Sequence, residues 1–222
     1  MILAIIQARY NSTRLPGKVL MDLHGKPLLR HVIDAVAQCK SVQKVVVATG
    51  AGNGAIAAAC DTWGVPCHQW WDHSEGDVLG RFAWTARHYP WAMRVLRVCG
   101  DSPLFDHQAA DALCAAAVES GADYTGYQID GQPAVLKPTG YFGEVVTVDA
   151  LERADRLLKC DDPRREHVTA CMYEEGFVSP DGRRDLFSCH WLKPPKWYAK
   201  EPLKLAAVDT AEDLERVREA MG

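Results

Sequence analysis

Short apolar runs alternate along this chain with stretches whose apolar residues recur every three to four positions. That is the pattern of a sheet wrapped by crossover helices. Ile2 to Gln7 is nearly continuous in apolar residues, as a strand buried on both faces requires. A polar loop extends to Lys26, after which Pro27 to Cys39 carries Leu28, His31, Val32, Ala35 and Val36 at helical spacing. Lys44 to Thr49 reads as a second strand and Asn53 to Trp63 as an alanine-rich helix. Val65 to Trp70 follows as a short strand, Asp77 to His88 as a helix, and Arg94 to Cys99 as a fourth strand. Asp106 stands where it can cap a helix running to Ser120.

Beyond Gly121 the pattern loosens. Asp123 to Ile129, Gln132 to Leu136 and Glu144 to Val148 read as strands, with turn signals at Asp130-Gly131 and Pro138-Thr139-Gly140. Ala150 to Lys159 and Pro163 to Glu175 read as helices. Phe187 to Pro202 mixes Trp191, Trp197 and Tyr198 with prolines and lysines, and reads as an irregular arm that leans toward a dimer contact. Lys204 to Val208 reads as a last strand and Thr210 to Met221 as a last helix. The fold class is α/β: one domain over residues 1–222, with a small lobe at about residues 123–203.

Composition narrows the function classes. The 222 residues carry 25 Lys plus Arg against 29 Asp plus Glu, net −4, which disfavours nucleic acid as a partner. Among the eight cysteines no pair has Cys-x-x-Cys spacing, so a zinc knuckle or a thioredoxin-like motif has no support. The apolar N-terminus is too short for a signal segment, and no run approaches the roughly 20 apolar residues of a membrane span. A cytoplasmic protein with reduced thiols and no membrane contact is expected.

The richest chemistry lies in Gln7-Ala8-Arg9-Tyr10-Asn11-Ser12-Thr13-Arg14-Leu15-Pro16-Gly17-Lys18, at the carboxyl end of the first strand, where open α/β sheets bind ligands. Arg9, Arg14 and Lys18 supply three cations, Ser12 and Thr13 two hydroxyls, and the backbone N–H groups further donors. A polyphosphate needs that combination. The loop is not a Walker A motif, since Gly17-Lys18 lacks both the earlier glycine and the following Ser or Thr. Two carboxylates, Asp101 and Asp209, end strands on the same edge. Beside a triphosphate they suit Mg²⁺, which takes one or two carboxylates and completes its shell with phosphate and water. Read alone, Asp101 equally suits the turn into Pro103, and Asp209 the cap of the last helix.

A second glycine motif competes. Gly50, Gly52 and Ala55 satisfy the dinucleotide fingerprint, which opens the reading of an NAD(P)-dependent oxidoreductase. The motif follows the second strand instead of the first, however, and its acidic partner would have to be Asp72, in a loop after the third strand.

The Arg9–Lys18 run resembles the N-terminal signature of the sugar-activating cytidylyltransferases. Gln7 in place of proline points to the relatives of spore coat polysaccharide biosynthesis protein F. Four further segments agree in order: Ser74-Glu75-Gly76-Asp77-Val78-Leu79-Gly80-Arg81, Arg97 to Leu104, Arg165-Glu166-His167-Val168-Thr169 and Val208 to Leu214. The resemblance implies a Rossmann-like, three-layer nucleotide-diphospho-sugar transferase fold with a mostly parallel sheet. It implies a homodimer that moves CMP from CTP to a sugar acid, sugar, polyol or phosphonate, with Mg²⁺ on Asp101 and Asp209. Arg9, Lys18, Asp101 and Asp209 would be catalytic. Ala8, Arg9, Ser12, Thr13, Arg14, Lys18, Thr49, Asp77, Arg81 and Gly100 would hold nucleotide, although Asp77 and Arg81 also suit a helix N-terminal turn. Glu144, Arg165 and His167 would meet the acceptor. Two departures stand out: Gly50 replaces a frequent aspartate, and Thr139 and Phe142 replace an arginine and an aspartate. A nucleotide-binding relative without catalysis is the remaining alternative.

Overall fold

A computed structural model describes residues 1–71, 75–174, 176–201 and 205–222; Asp72, Ser74, Glu175, Pro202 and Lys204, which figured in the readings above, lie outside the described residues. The chain runs β1 (Ile2–Gln7), a 3₁₀ turn at Lys18–Leu20, the hairpin β2 (Asp22–Leu23) and β3 (Lys26–Pro27), α1 (Leu28–Val36), β4 (Val42–Gly50), α2 (Gly54–Thr62) and β5 (Cys67–Trp70). It continues with α3 (Val78–Arg87), β6 (Arg94–Cys99), α4 (His107–Ser120), β7 (Tyr124–Ile129), β8 (Gln132–Pro133), β9 (Glu144–Thr147) and α5 (Val148–Leu157). The last elements are α6 (Ala170–Tyr173), β10 (Cys189–Leu192) and α7 (Ala211–Met221).

The main sheet has the order β10-β7-β9-β6-β1-β4-β5, with β8 paired to β7. β1 lies parallel to both β4 and β6, while β9 runs antiparallel between β6 and β7. Because side chains alternate across a strand, Ile2, Ala4 and Ile6 of β1 enter one core with α1, α4 and α7. Leu3 and Ile5 enter the other core with α3 and α5. Both faces of the sheet are thus covered, the three-layer arrangement expected. The chain leaves β1 for β4 on one side and reaches β6 on the other. The carboxyl ends of β1 and β6 therefore flank a topological switch point, where α/β sheets hold ligands.

The described part of the expected lobe, residues 123–174 and 176–201, is built onto this sheet through β7, β9 and β10. Here the sequence reading needs correction. The arm at 187–202 contains β10, paired parallel to β7, with Trp191 packed on Tyr124 at 5.2 Å and Tyr173 at 6.2 Å. Trp197 and Tyr198 likewise turn inward, onto Tyr141 and Phe142. The core thus uses these rings, and the flanking prolines had masked a four-residue strand. Only Gln132–Pro133 of the Gln132–Leu136 run pairs as a strand; Ala134–Leu136 winds into a 3₁₀ turn. The helix expected from Pro163 divides into a 3₁₀ segment, Pro163–His167, and the short α6, because Val168 adopts φ 59° and ψ −60°. Residues 205–208, expected within a last strand, stay outside the sheet ladder, held by Ala206 N–H to Thr139 O and Val208 N–H to Asp101 O.

Candidate active site

Hydrogen bonds at the switch point bring the predicted loop and carboxylates together. Gly100 N–H donates to Gln7 O at 2.8 Å, and a Cβ on Gly100 would stand 2.7 Å from that oxygen, so β6 can end this close to β1 only with glycine there. The loop then folds back on itself, with Gly17 N–H donating to Tyr10 O at 2.7 Å. Gly17 takes φ 72°, which turns the chain so that Lys18 points under the loop. Lys18 is 4% exposed. Its Nζ donates to Asp101 Oδ2 at 2.7 Å, Asp209 Oδ1 at 2.8 Å and Val208 O at 2.7 Å. Burial opposes its charge, but Asp101 and Asp209 outweigh burial and raise its pKa above the ordinary lysine value. Arg14 reaches the other oxygen of Asp209 at 2.8 Å. Asp209 itself sits at the start of α7, whose capping box is made by Thr210 and Asp213. Its carboxylate is therefore free of the capping role and faces the lysine.

The cleft above this centre holds about 230 Å³ and is lined by Ala8, Arg9, Lys18, Arg81, Gly100, Asp101, His167 and Asp209, among others. Ser12 is buried in the loop and Thr13 is exposed on it. Thr49 ends up buried near the close of β4, its hydroxyl without a hydrogen bond among the described residues. The other expected residues are engaged with one another. Asp77 caps α3 through Gly80 N–H at 2.9 Å and receives Arg165 Nε at 2.7 Å; Arg165 also donates to Asp155 at 2.6 Å. Glu144 accepts from Arg97, from Tyr124 Oη at 2.7 Å and from Thr169 Oγ1 at 2.9 Å. Both pairs hold the segment carrying Glu166 and His167, which line the cleft.

Some cleft residues escaped the sequence reading. Arg97 lines the cleft at 5% exposure, its Nε on Gln7 Oε1 at 3.1 Å. An arginine at the centre of an apolar strand signals a buried partner, because such charges are almost never buried alone. Tyr173 also lines the cleft, and burial drives its pKa up. Burial pushes the Cys99 thiol up to about 11, which keeps it protonated and unreactive near neutrality. The turn of the competing glycine motif is filled by Asn53, whose amide donates to Gly50 O at 2.9 Å and Ala51 O at 3.2 Å.

The switch-point cleft, with its cationic loop facing paired carboxylates, belongs to an α/β nucleotidyltransferase. A family model described as cytidylyltransferase matches residues 3–186. Spore coat polysaccharide biosynthesis protein SpsF of Bacillus subtilis is 31% identical over 98% of this chain and 85% of its own length. The 3-deoxy-manno-octulosonate cytidylyltransferase of Serratia proteamaculans is 30% identical over 99% of this chain and 98% of its own. A solved cytidylyltransferase structure from Leptospira borgpetersenii superposes with a TM-score of 0.82, covering 99% of this chain and 86% of that one; at 22% identity it speaks for the fold. The chain belongs to the cytidylyltransferase family, and the dinucleotide reading of Gly50, Gly52 and Ala55 is not favoured. Among the described residues no helix is long and apolar enough to cross a membrane.

Proposed function

We propose that this chain transfers CMP from CTP to an oxygen of a sugar acid, sugar, polyol or phosphonate. The acceptor oxygen forms a bond to the α-phosphorus, the bond from that phosphorus to the bridging oxygen breaks, and pyrophosphate leaves with the electron pair. An acceptor hydroxyl would release its proton to solvent, whereas a carboxylate or phosphonate oxygen attacks already ionised. The observation that carries this reading is the convergence of Asp101 and Asp209 on the Lys18 ammonium beneath a cationic loop.

The protein's part is positioning and neutralisation of charge, as in phosphoryl transfer generally. Arg9 and Arg14 would grip the triphosphate and the departing pyrophosphate, Lys18 joining them once Mg²⁺ takes over Asp101 and Asp209, with the hydroxyls of Ser12 and Thr13 and the N–H groups from Ala8 onward completing the cradle. Asp101 and Asp209 fit Mg²⁺: they are hard oxygen donors that already converge within hydrogen-bond range of one cation. Bound there, Mg²⁺ would withdraw negative charge from the phosphate oxygens. His167 and Arg97 also line the cleft and would face the acceptor.

Pyrophosphate release from CTP and Mg²⁺, measured over these acceptor classes, tests the reading. Release should require one acceptor class and should vanish in Asp209→Asn with its fold retained. CTP binding without release across the whole panel would instead support a non-catalytic nucleotide binder.

A further inference from the structure

Two thiols that the nucleotide reading does not use meet at the outer edge of the sheet. Cys60 lies in the last turn of α2 and is fully buried, while Cys67 opens β5 and is half-buried. Between them the chain reverses. Val65 N–H donates to Cys60 O at 2.9 Å, Gly64 takes φ 68°, and Pro66 O accepts from Val47 N–H at 2.9 Å. Cys67 then pairs with Val47 of β4, and both face the core that holds Cys60. The reversal brings the side chains together, so that the two thiols are hydrogen-bonded to each other. Among the described residues β5 ends the sheet, which leaves Cys67 on an edge strand, and both thiols lie outside the cleft lining.

The contact makes the two sulfurs unequal. Donation from the Cys60 thiol stabilises the Cys67 thiolate and lowers its pKa, against the opposing effect of burial. The same hydrogen bond, together with burial, raises the pKa of Cys60, which keeps its proton. The other embedded cysteines shift the opposite way from Cys67: burial raises Cys99 and Cys189 to about 11, and Cys39, Cys114 and Cys171 to about 12. The thiolate is the form that a peroxide oxidises, and the sulfenic acid so formed condenses with a neighbouring thiol. Cys67 combines an edge position with a second sulfur already in contact.

We propose that Cys67 is an oxidation site for hydroperoxides and that Cys60 resolves it into a reversible disulfide joining α2 to β5. The Cys67 thiolate attacks the terminal peroxide oxygen, the O–O bond breaks, and a sulfenic acid forms as hydroxide or alkoxide leaves with the electron pair. The Cys60 sulfur then bonds to the Cys67 sulfur, the S–O bond breaks, and the thiol proton departs with the hydroxyl as water. The peroxide is reduced and the thiol pair oxidised by the same two electrons. The reduced full chain would be treated with hydrogen peroxide, its remaining thiols alkylated after unfolding, and the chain digested with trypsin. The stretch from Val45 to Arg81 contains no internal Lys or Arg and no cysteine besides Cys60 and Cys67, so the bond is read as the loss of two hydrogens from one peptide. That loss should occur at peroxide doses that leave the exposed Cys160 reduced, and dithiothreitol should reverse it. In Cys60→Ser, whose hydroxyl can still donate to Cys67, dimedone should trap a sulfenic acid at Cys67. In Cys67→Ser, Cys60 should remain a thiol. A wild-type peptide that keeps both thiols while Cys160 is oxidised would overturn the inference, whether or not the variants fold. Dimedone found on Cys60 with Cys67 still reduced would overturn it too.

Discussion

Replacing Lys18 by methionine removes the ammonium but keeps most of the stem. The wild-type Nζ lies 2.7 and 2.8 Å from two carboxylate oxygens. At an effective dielectric of about 20, each such pair is worth about 6 kcal/mol before desolvation is charged against it. Removing one partner of a buried pair typically costs about 3–5 kcal/mol. Here the aspartate side chains keep 26% exposure and Arg14 still touches Asp209, so about 2–3 kcal/mol is the expected loss. For a chain of this size that lowers the melting temperature by roughly 4–12 °C. The deficit should be nearly constant from pH 6 to 9. A raised folded-state pKa contributes stability fully below the unfolded value of 10.5, and that stability is lost only as pH rises through the higher folded value. Melting curves in chelator and in Mg²⁺ then separate the roles. With the internal cation gone, Asp101 and Asp209 are free for the metal, so Mg²⁺ should stabilise Lys18→Met more than the wild type. Pyrophosphate release should nonetheless drop about 10²–10³-fold, since a preorganised charge at the transition state is missing. Equal Mg²⁺ shifts in the two proteins, or full turnover in the variant, would refute the reasoning.

Gly140 takes φ 72°, and a Cβ there would stand 2.5 Å from the backbone of Ala206 and Ala207, which lead into Asp209. Gly140→Ala should cost at least about 1–3 kcal/mol and weaken Mg²⁺ stabilisation together, seen in paired melts. Arg97→Met should cost about 3–5 kcal/mol by stranding buried Glu144, and the double variant with Glu144→Gln should recover part of it in urea titrations. For acid, burial would raise the Asp111 and Asp123 pKa values, but N–H groups of Lys40 and Ser41, and of Ser188 with Arg153, outweigh it and hold both low. Depressed folded values contribute stability above the unfolded value of about 3.8 and lose it as pH falls through them. Stability should therefore decline below about pH 4, and less steeply in Asp123→Asn; an identical slope would exclude Asp123 from the effect.

β1, β6 and α4 were legible because their signals are local: an apolar run buried on both faces, and Asp106 accepting from Gln108 and Ala109 N–H as a cap. The cationic loop was legible for the same reason, Arg9, Arg14 and Lys18 lying within ten residues. The pairing of Arg97 with Glu144 was not, since it depends on the antiparallel register of β6 and β9, which sets those two residues opposite each other. Nothing in Val168, a β-branched residue, signals a positive φ. The fate of Asp77 and Arg165 was equally hidden, because their partnership spans 88 positions and joins α3 to the 163–167 segment.

Arg165 and Glu144, two of the three residues expected to meet the acceptor, instead hold the backbone turn at Val168. With φ 59° and ψ −60°, and Thr169 N–H on His167 O at 2.6 Å, Val168 forms the rare left-handed γ-turn. Such strain persists only where the surroundings over-determine it. Two anchors do so here. On one side Arg165, 4% exposed, is clamped by Asp77 and Asp155; on the other, Thr169 is bonded to Glu144, which Arg97 and Tyr124 hold in turn. Between the anchors the turn leaves Glu166 and His167 lining the cleft wall. Glu166 meets Arg9 of the cationic loop there at 3.6 Å. Asp77, Arg165 and Glu144 therefore act on the cleft through the strained turn they restrain. That gives one sequence block two duties, with buried charges fixing the backbone and their immediate neighbours presenting chemistry.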